Sequence, residues 1–395
     1  MKKWVLGFVF GFLFFVSYKP IVLGVDEEPF ISKKELLSPI GVNKSQYSPW
    51  VMHEQGWGSY LMYYCKMEDI DGVWQDRVYR TESWSDGKTK DWTGDMVVIQ
   101  GNLNQKDDLS CSPGVVIDKR NPSNEVWRMY YITAQRGADC DLYIYHATSK
   151  LPGVNWEKKG LINISGLNWP VVGCGIETPS PYIINNKVVL FFPGPGGKIY
   201  KTESEDGTNF SGIQLINIPD VAPGAGRVYA DSDNYYYVYG RNSSGNVNLP
   251  TNQIWMTRSN DGGINYVSPK KLMESSGVGW DGERMWSPQL IKFGNEWRIY
   301  YAGNIGTYQW FGANTSIGVR TYSDLDNLFE VVASPTPICS VSNGDYNKDG
   351  LVNITDLVGW YNFFKLGSYE SAADFNSDDN IDIQDLIIWY SGYRK

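Results

Sequence analysis

The sequence predicts a mainly β protein: a five-bladed β-propeller followed by a small α-helical module built on two oxygen-rich loops. Three observations carry this reading. A unit of short strand, turn and aromatic strand recurs five times between about residue 45 and residue 332. A 12-residue run of carboxylates and amides occurs near the C-terminus and again 29 residues later. Aromatic residues make up 15 % of the 395-residue chain and charged residues only 20 %, so it can bury a large core and still offer aromatic surface to a ligand.

Each propeller unit has two halves. The first is Ser-Pro, a short apolar strand, a polar turn and an aromatic strand: "SPWVMHEQGWGSYLMYY" from Ser48, "SPGVVIDKRNPSNEVWRMYY" from Ser112, "SPYIINNKVVLFF" from Ser180 and "SPQLIKFGNEWRIYY" from Ser287. A divergent copy, "GRVYADSDNYYYVYG" from Gly226, lacks the Ser-Pro. The second half is a serine, often Asp-Gly, then an aromatic, as in "SEDGTNF" from Ser204 and "SNDGGINY" from Ser259. Strands at such regular spacing point to an all-β repeat, and about 60 residues per unit suits one four-stranded blade. The Asp-Gly turns resemble the Asp boxes of propeller glycosidases. Their aspartates are expected to cap tight turns and not to react.

Antiparallel alternation sorts the candidate site residues. If the innermost strand of each blade starts at the pocket face, the first and third turns lie at the far face. His53, Asp206 and Asp261 are then remote, and His146, within a third strand, is expected to be packed. Near the axis stand Asp107, Asp108, Glu177, Arg227, Asp281, Glu283, Arg284 and Trp286. The second turns add Glu68, Asp69, Asp71, Arg136, Asp139, Arg241 and Asn304. Carboxylates, guanidinium groups and indoles together suit sugars: rings stack on the indole while charged groups bind hydroxyls.

Five blades, aromatic strands and "GIETPSP" at the head of the third unit resemble the arabinanase-like propeller glycosidases. That resemblance implies a general acid at Glu177, which precedes Thr178-Pro179, and substrate binding by Arg227, Glu283, Arg284 and Trp286. It also calls for Asp before Pro at the heads of the first two blades. This chain has Ser48 and Ser112 there, so Asp108, slightly upstream of the second, is the candidate base. The implied function is a secreted glycoside hydrolase. The alternative is a propeller that binds glycan or protein without hydrolysis. A six-bladed sialidase-like enzyme would need a sixth unit and an arginine triad, and five units are found.

The C-terminal repeat places Asp345, Asn347, Asp349, Leu351, Asn353 and Asp356 in register with Asp374, Asn376, Asp378, Asn380, Asp382 and Asp385. Side-chain oxygens at loop positions 1, 3, 5, 9 and 12, with a backbone carbonyl from position 7, form the ligand pattern of an EF-hand calcium loop. Gly350 supplies the sharp turn at position 6 of the first loop, and Asp379 replaces it in the second. An apolar helix pattern follows each loop and none of usual length precedes it. In this layout residues 343–395 resemble type I dockerins. The family implies two Ca2+ ions and a cohesin-type partner, although Ile354 and Ile383 stand where dockerins often carry small polar contact residues.

Lys2 and Lys3 precede an apolar run from Trp4 to Val16, which reads as an export signal over residues 1–24. The other reading is an uncleaved membrane anchor, the one case in which a membrane enters. The propeller is expected over 25–332, a proline-bearing linker over 333–342 and the dockerin over 343–395. Nine acidic and two basic residues between Asp345 and Asp385 carry most of the net charge of −9, so the remainder is near neutral and phosphate neutralisation is not indicated. Five cysteines, Cys65, Cys111, Cys140, Cys174 and Cys339, allow at most two bridges. Cys111 and Cys140 are candidate partners, and Cys339 in the linker is the candidate odd thiol.

Overall fold

A computed structural model describes residues 31–36, 45–54, 58–88, 91–150, 153–172, 179–193, 198–219, 226–231, 233–244, 251–277, 279–304, 315–323, 325, 328–329, 344–346, 352–366, 373–375 and 381–393. The chain divides into two compact units, Met1–Phe329 and Glu330–Lys395.

The larger unit is built of antiparallel hairpins. After β1 (Ile31–Leu36) the first group runs β2 (Ser45–Glu54), β3 (Ser59–Ile70), β4 (Val73–Ser83) and β5 (Thr93–Gln100). The second is β6 (Leu109–Asp118), β7 (Val126–Gln135), β8 (Ala138–Ser149) and β9 (Glu157–Leu161). Two short strands, β10 (Asn163–Ile164) and β11 (Val171–Val172), precede the third group: β12 (Ser180–Ile184), β13 (Lys187–Pro193), β14 (Ile199–Ser204) and β15 (Asn209–Leu215). The fourth is β16 (Gly226–Asp231), β17 (Asn234–Arg241), β18 (Gln253–Ser259) and β19 (Lys270–Glu274). The fifth is β20 (Arg284–Phe293), β21 (Glu296–Asn304) and β22 (Thr315–Tyr322), with β1 pairing along β22 as its fourth strand.

These strands form four open sheets, not the five separate ones that the repeats predict. The first and fifth groups merge into one sheet through a parallel contact, Ser45 to Thr315. The sequence also gives no sign of β1, because "ISKKEL" lacks the aromatic signature of the other strands.

Period-2 alternation places the two faces of the inner aromatic strands in different cores. On β7, Met129 and Tyr131 pack with Trp50, Leu61 and Tyr63 of the first group, while Tyr130 and Ile132 pack with Val188 and Leu190 of the third. On β17, Tyr235, Tyr237 and Tyr239 meet Phe191, whereas Tyr236 and Val238 meet Trp297 and Ile299. Another cluster joins the last group to the first: Tyr300, Ile317 and Val319 against Val51, Met62 and Tyr64.

The Asp-Gly turns act as clasps between groups. The Asp206 carboxylate accepts from Thr208 N at 2.7 Å and Asn209 N at 2.8 Å, and the Thr208 carbonyl then accepts from Asn163 N at 3.0 Å, on the stretch leaving the second group. The same arrangement recurs at Asp261, which accepts from Asn265 N at 2.9 Å, while Ile264 O accepts from Asn217 N at 2.8 Å. Hydrogen bonds from Ser259 and Asn265 hold the Asp261 carboxyl well below the usual carboxylate range.

A disulfide joins Cys65 to Cys111, with Cα atoms 5.3 Å apart. This corrects the candidate pairing of Cys111 with Cys140. Cys65 lies in the second strand of its group and Cys111 at the head of the next, and packing of adjacent groups brings them together. Neighbours in different groups leave no mark in the sequence between them.

In the smaller unit α1 (Ile354–Leu366) and α2 (Ile383–Tyr393) start 29 residues apart, enclosing Trp360, Ala373, Phe375 and Trp389. Among the described residues no helix is long and apolar enough to cross a membrane.

Candidate active site

Hairpin register defines five equivalent positions at the head of the first strands. Counting four residues back from the last ladder pair of each hairpin gives Trp50, Gly114, Ser180, Arg227 and Gln289. The residues before them are Pro49, Pro113, Pro179, Gly226 and Pro288. The third unit therefore aligns through Thr178-Pro179, and Ser180-Pro181, which looks like its Ser-Pro in the sequence, is displaced by two. Two consecutive Xaa-Pro pairs, "TPSP", cannot be told apart without the ladder.

Side chains at these positions stitch the groups together. Gln289 Nε2 donates to Val51 O at 2.9 Å, and its Oε1 accepts from Val51 N. Ser180 Oγ accepts from Val228 N at 3.2 Å. The Arg227 guanidinium donates to Pro113 O at 2.9 Å, Ser48 O at 3.2 Å and Pro179 O at 3.4 Å, and lies over the Trp50 ring. Ser48, Ser112 and Ser287 all have φ near +50° and sit at register shifts in their ladders. Such bulges turn the backbone and re-aim side chains. Here they bring the three hydroxyls together: Ser48 Oγ lies 3.3 Å from Ser112 Oγ and donates to Ser287 Oγ at 3.1 Å. All three serines are buried.

The acids sorted to this face are mostly committed. Asp108 is 1 % exposed; its oxygens accept from Arg136 at 3.1 and 3.3 Å and from Asn104 N at 3.0 Å. Asp107 pairs with Lys158 at 2.9 Å. Gly101 must be glycine, because a Cβ there would lie 2.0 Å from Asp107 O. Asp281, fully buried in a 3-10 turn (Gly279–Asp281), accepts from Tyr301 OH at 2.7 Å and Ser276 Oγ at 3.1 Å. Glu68 receives Tyr79 OH and pairs with Lys66; burial opposes its charge, but these partners outweigh it and lower its pKa.

Of the other predicted site residues, Glu283 is exposed and Arg284, Trp286 and Arg241 are half-buried; Arg284 lies 5.1 Å from the Trp286 ring, and Arg241 lies 4.6 Å from the Trp255 ring. Asn304 is opposite Arg284 in the ladder and fully buried, and neither end of its amide has a hydrogen-bond partner among the described residues. Glu177 lies outside the described residues. Sequence reading misses Tyr47, whose hydroxyl donates to Asp76 at 2.5 Å, and the role of Gln289. A 310 Å3 cavity lined by Asp118, Arg120, Arg128 and Asn186 lies at the opposite, far-face turns. Its Asp118 is held by both arginines, Arg120 foremost.

In the smaller unit the two helix starts are alike. Asn353 Oδ1 accepts from Thr355 N at 2.8 Å and Asp356 reaches back to Asn353 N at 2.7 Å; Asp382 Oδ1 accepts from Gln384 N at 2.7 Å and Asp385 reaches back to Asp382 N at 2.8 Å. These are capping boxes, so loop positions 9 and 12 also serve as helix caps. Asp385 closes its loop by accepting from Phe375 N at 2.6 Å. Asp356, Asp374 and Asp385 are all buried. The one basic side chain among the described residues here is the exposed Lys365. Buried carboxylates in such surroundings fit a cation. Asn347, Asp349, Leu351, Asn376, Asp378 and Asn380 lie outside the described residues, and among the described ones no group of three acids, His or Cys is arranged around a metal position.

No known family profile and no curated relative matches the chain. Solved structures do match. A β-xylosidase superposes with a TM-score of 0.55 at 11 % identity, covering 73 % of this chain and 94 % of that one. A GH43 β-xylosidase/α-arabinofuranosidase from a compost microbial metagenome, solved with xylotriose, gives 0.52 at 12 % identity over 73 % and 94 %. The catalytic domain of the Coprinopsis cinerea GH62 α-L-arabinofuranosidase gives 0.52 at 13 % identity over 74 % and 97 %. The fold is that of these glycosidases. At such low identity the likeness concerns the arrangement of strands.

Proposed function

We propose that the chain is a secreted glycoside hydrolase whose five strand groups are the blades of a propeller. The fold shared with glycosidases carries this reading. Indoles and guanidinium groups at one end of the strands, Trp286 with Arg284 and Trp255 with Arg241, supply surfaces on which a sugar ring can stack. Glu177 is assigned as the general acid, protonating the leaving glycosidic oxygen while a second carboxylate serves water or the anomeric carbon. Asp108, with its oxygens taken by Arg136 and Asn104, anchors the loop in this reading and is not an open base. Release of reducing sugar from arabinan, xylan and fructan oligosaccharides tests the assignment. Glu177→Gln should cut turnover by about 100-fold or more, the usual range for a lost general acid, with binding retained.

One observation favours a second reading, a propeller that binds glycan or protein without cleaving it. Ser48 and Ser112, 1 % and 0 % exposed, stand where the glycosidase resemblance calls for aspartates. Oligosaccharide binding with no turnover across the panel would establish that reading.

The smaller unit is assigned as a calcium-dependent dockerin for a cohesin-type partner. Its helices expose matching apolar stripes, Ile354, Val358 and Tyr361 on one and Ile383, Ile387 and Tyr390 on the other, which suit a docking surface. Calcium would screen the clustered carboxylates; without it about 50 residues bury too little surface to offset their repulsion. Calorimetry of the full chain should show two transitions, and chelation with EGTA should abolish the smaller while leaving the larger unmoved. Two unchanged transitions in EGTA would remove calcium from the assignment.

A further inference from the structure

We propose that Arg227 is a positioning residue that sets the heads of the first three strand groups against one another across the axis; the proposal rests on the hydrolase reading above. The other groups use Trp50, Gly114, Ser180 and Gln289 at this register position, and Arg227 alone among the five is ionic. It is 1 % exposed, and burial pushes its pKa down to about 9. No carboxylate balances it among the described residues. Its acceptors are the carbonyls of Ser48, Pro113 and Pro179, and its Nε has no hydrogen-bond partner among the described residues.

A buried guanidinium is a poor way merely to fill space, since its desolvation is costly. One planar fork holding three carbonyls from three separate groups is a good way to fix register, because its donors diverge at set angles. The three tethered segments are those that matter to the chemistry. Pro179 follows Glu177 by two residues, and Ser48 and Pro113 belong to the heads where the glycosidase resemblance places reacting carboxylates. A shift of about 1 Å between reacting groups costs on the order of 100-fold in rate. Arg227 therefore acts on the reaction through backbone segments and touches no substrate.

The test uses the full chain with Arg227→Met and Arg227→Lys. Hydrogen exchange read by mass spectrometry should show lost protection in peptides spanning 45–54, 109–118 and 179–184, with β17 to β19 unchanged. Turnover on the oligosaccharides cleaved by the wild type should fall about 100-fold in kcat with KM within about threefold. If Arg227→Met does not fold, Arg227→Lys decides, since one ammonium cannot hold three carbonyls in a planar fork. Unchanged exchange in the three peptides, or exchange altered throughout the unit with kcat falling only as the folded fraction falls, overturns the proposal. A wild type without turnover removes the hydrolase reading, and the exchange pattern still decides whether Arg227 couples the three heads.

Discussion

Replacing Cys65 and Cys111 together by serine is expected to lower the stability of the larger unit by about 4 kcal/mol. The bond spans 46 residues of chain, and closing a loop of that length removes roughly this much free energy from the unfolded ensemble in the chain-entropy treatment. For a unit of this size the melting temperature should drop by about 6 °C. Both sulfurs lie in the interior, at 0 % and 6 % exposure, so solvent water does not compete for the site and the serine hydroxyls add a desolvation cost. The bond also has a local task. Ser112 N donates to Cys65 Sγ at 2.8 Å, which fixes the backbone entering the serine hydroxyl cluster. Mild reductant should leave the native protein intact because the sulfurs are covered, and should act once the chain has been opened by denaturant. A double-serine variant melting within about 2 °C of the parent would show that the packed aromatic cores alone hold the first two groups together.

Local features of this chain were legible, and contacts between repeats were not. Alternating aromatic strands declare themselves because each strand is buried on both faces, and "YYYVY" in β17 is a clear case: its odd tyrosines serve one core and its Tyr236 and Val238 the other. The Asp-Gly turns were equally plain, since Asp206 and Asp261 do their work within three or four residues. His146, within a third strand, is packed as its position implies. The features hidden in the sequence share a cause. The partner of Cys111, the clamp of Gln289 on Val51 and the pairing of β1 with β22 all link residues far apart in sequence. The last two join the end of the unit to its beginning, where no periodicity can point. Arg227 shows the limit most clearly. A lone arginine beside a strand start reads as a ligand-binding cation, and only the register reveals that it faces inward onto three carbonyls. Asp108 is the reverse case: its place just before a strand head is plain in the sequence, but its ion pair with Arg136 is not.

Acid should destabilise the larger unit through His146. The ring is 1 % exposed and stacks on Tyr130 with centroids 4.9 Å apart and planes 9° from parallel. Neither nitrogen has a hydrogen-bond partner among the described residues. Burial lowers its pKa to about 3, Arg128 and Lys159 add to the effect, and Asp206 opposes it weakly. An unfolded histidine titrates near 6.5. The unfolded chain therefore binds a proton between about pH 6.5 and pH 3 that the folded chain refuses. Stability from this residue is complete above pH 6.5 and falls as the pH drops through that window, by about 2 kcal/mol at pH 5. Chemical denaturation of wild type at pH 7 and pH 5 should reveal the loss. His146→Phe keeps a ring on Tyr130 and cannot take up a proton, so its stability should fall about 2 kcal/mol less over the same interval. If the larger ring strains the core, His146→Gln gives the same comparison. Equal pH dependence in wild type and variant would mean that folded His146 takes up its proton as readily as the unfolded chain, which requires water or a hydrogen-bond acceptor at the ring.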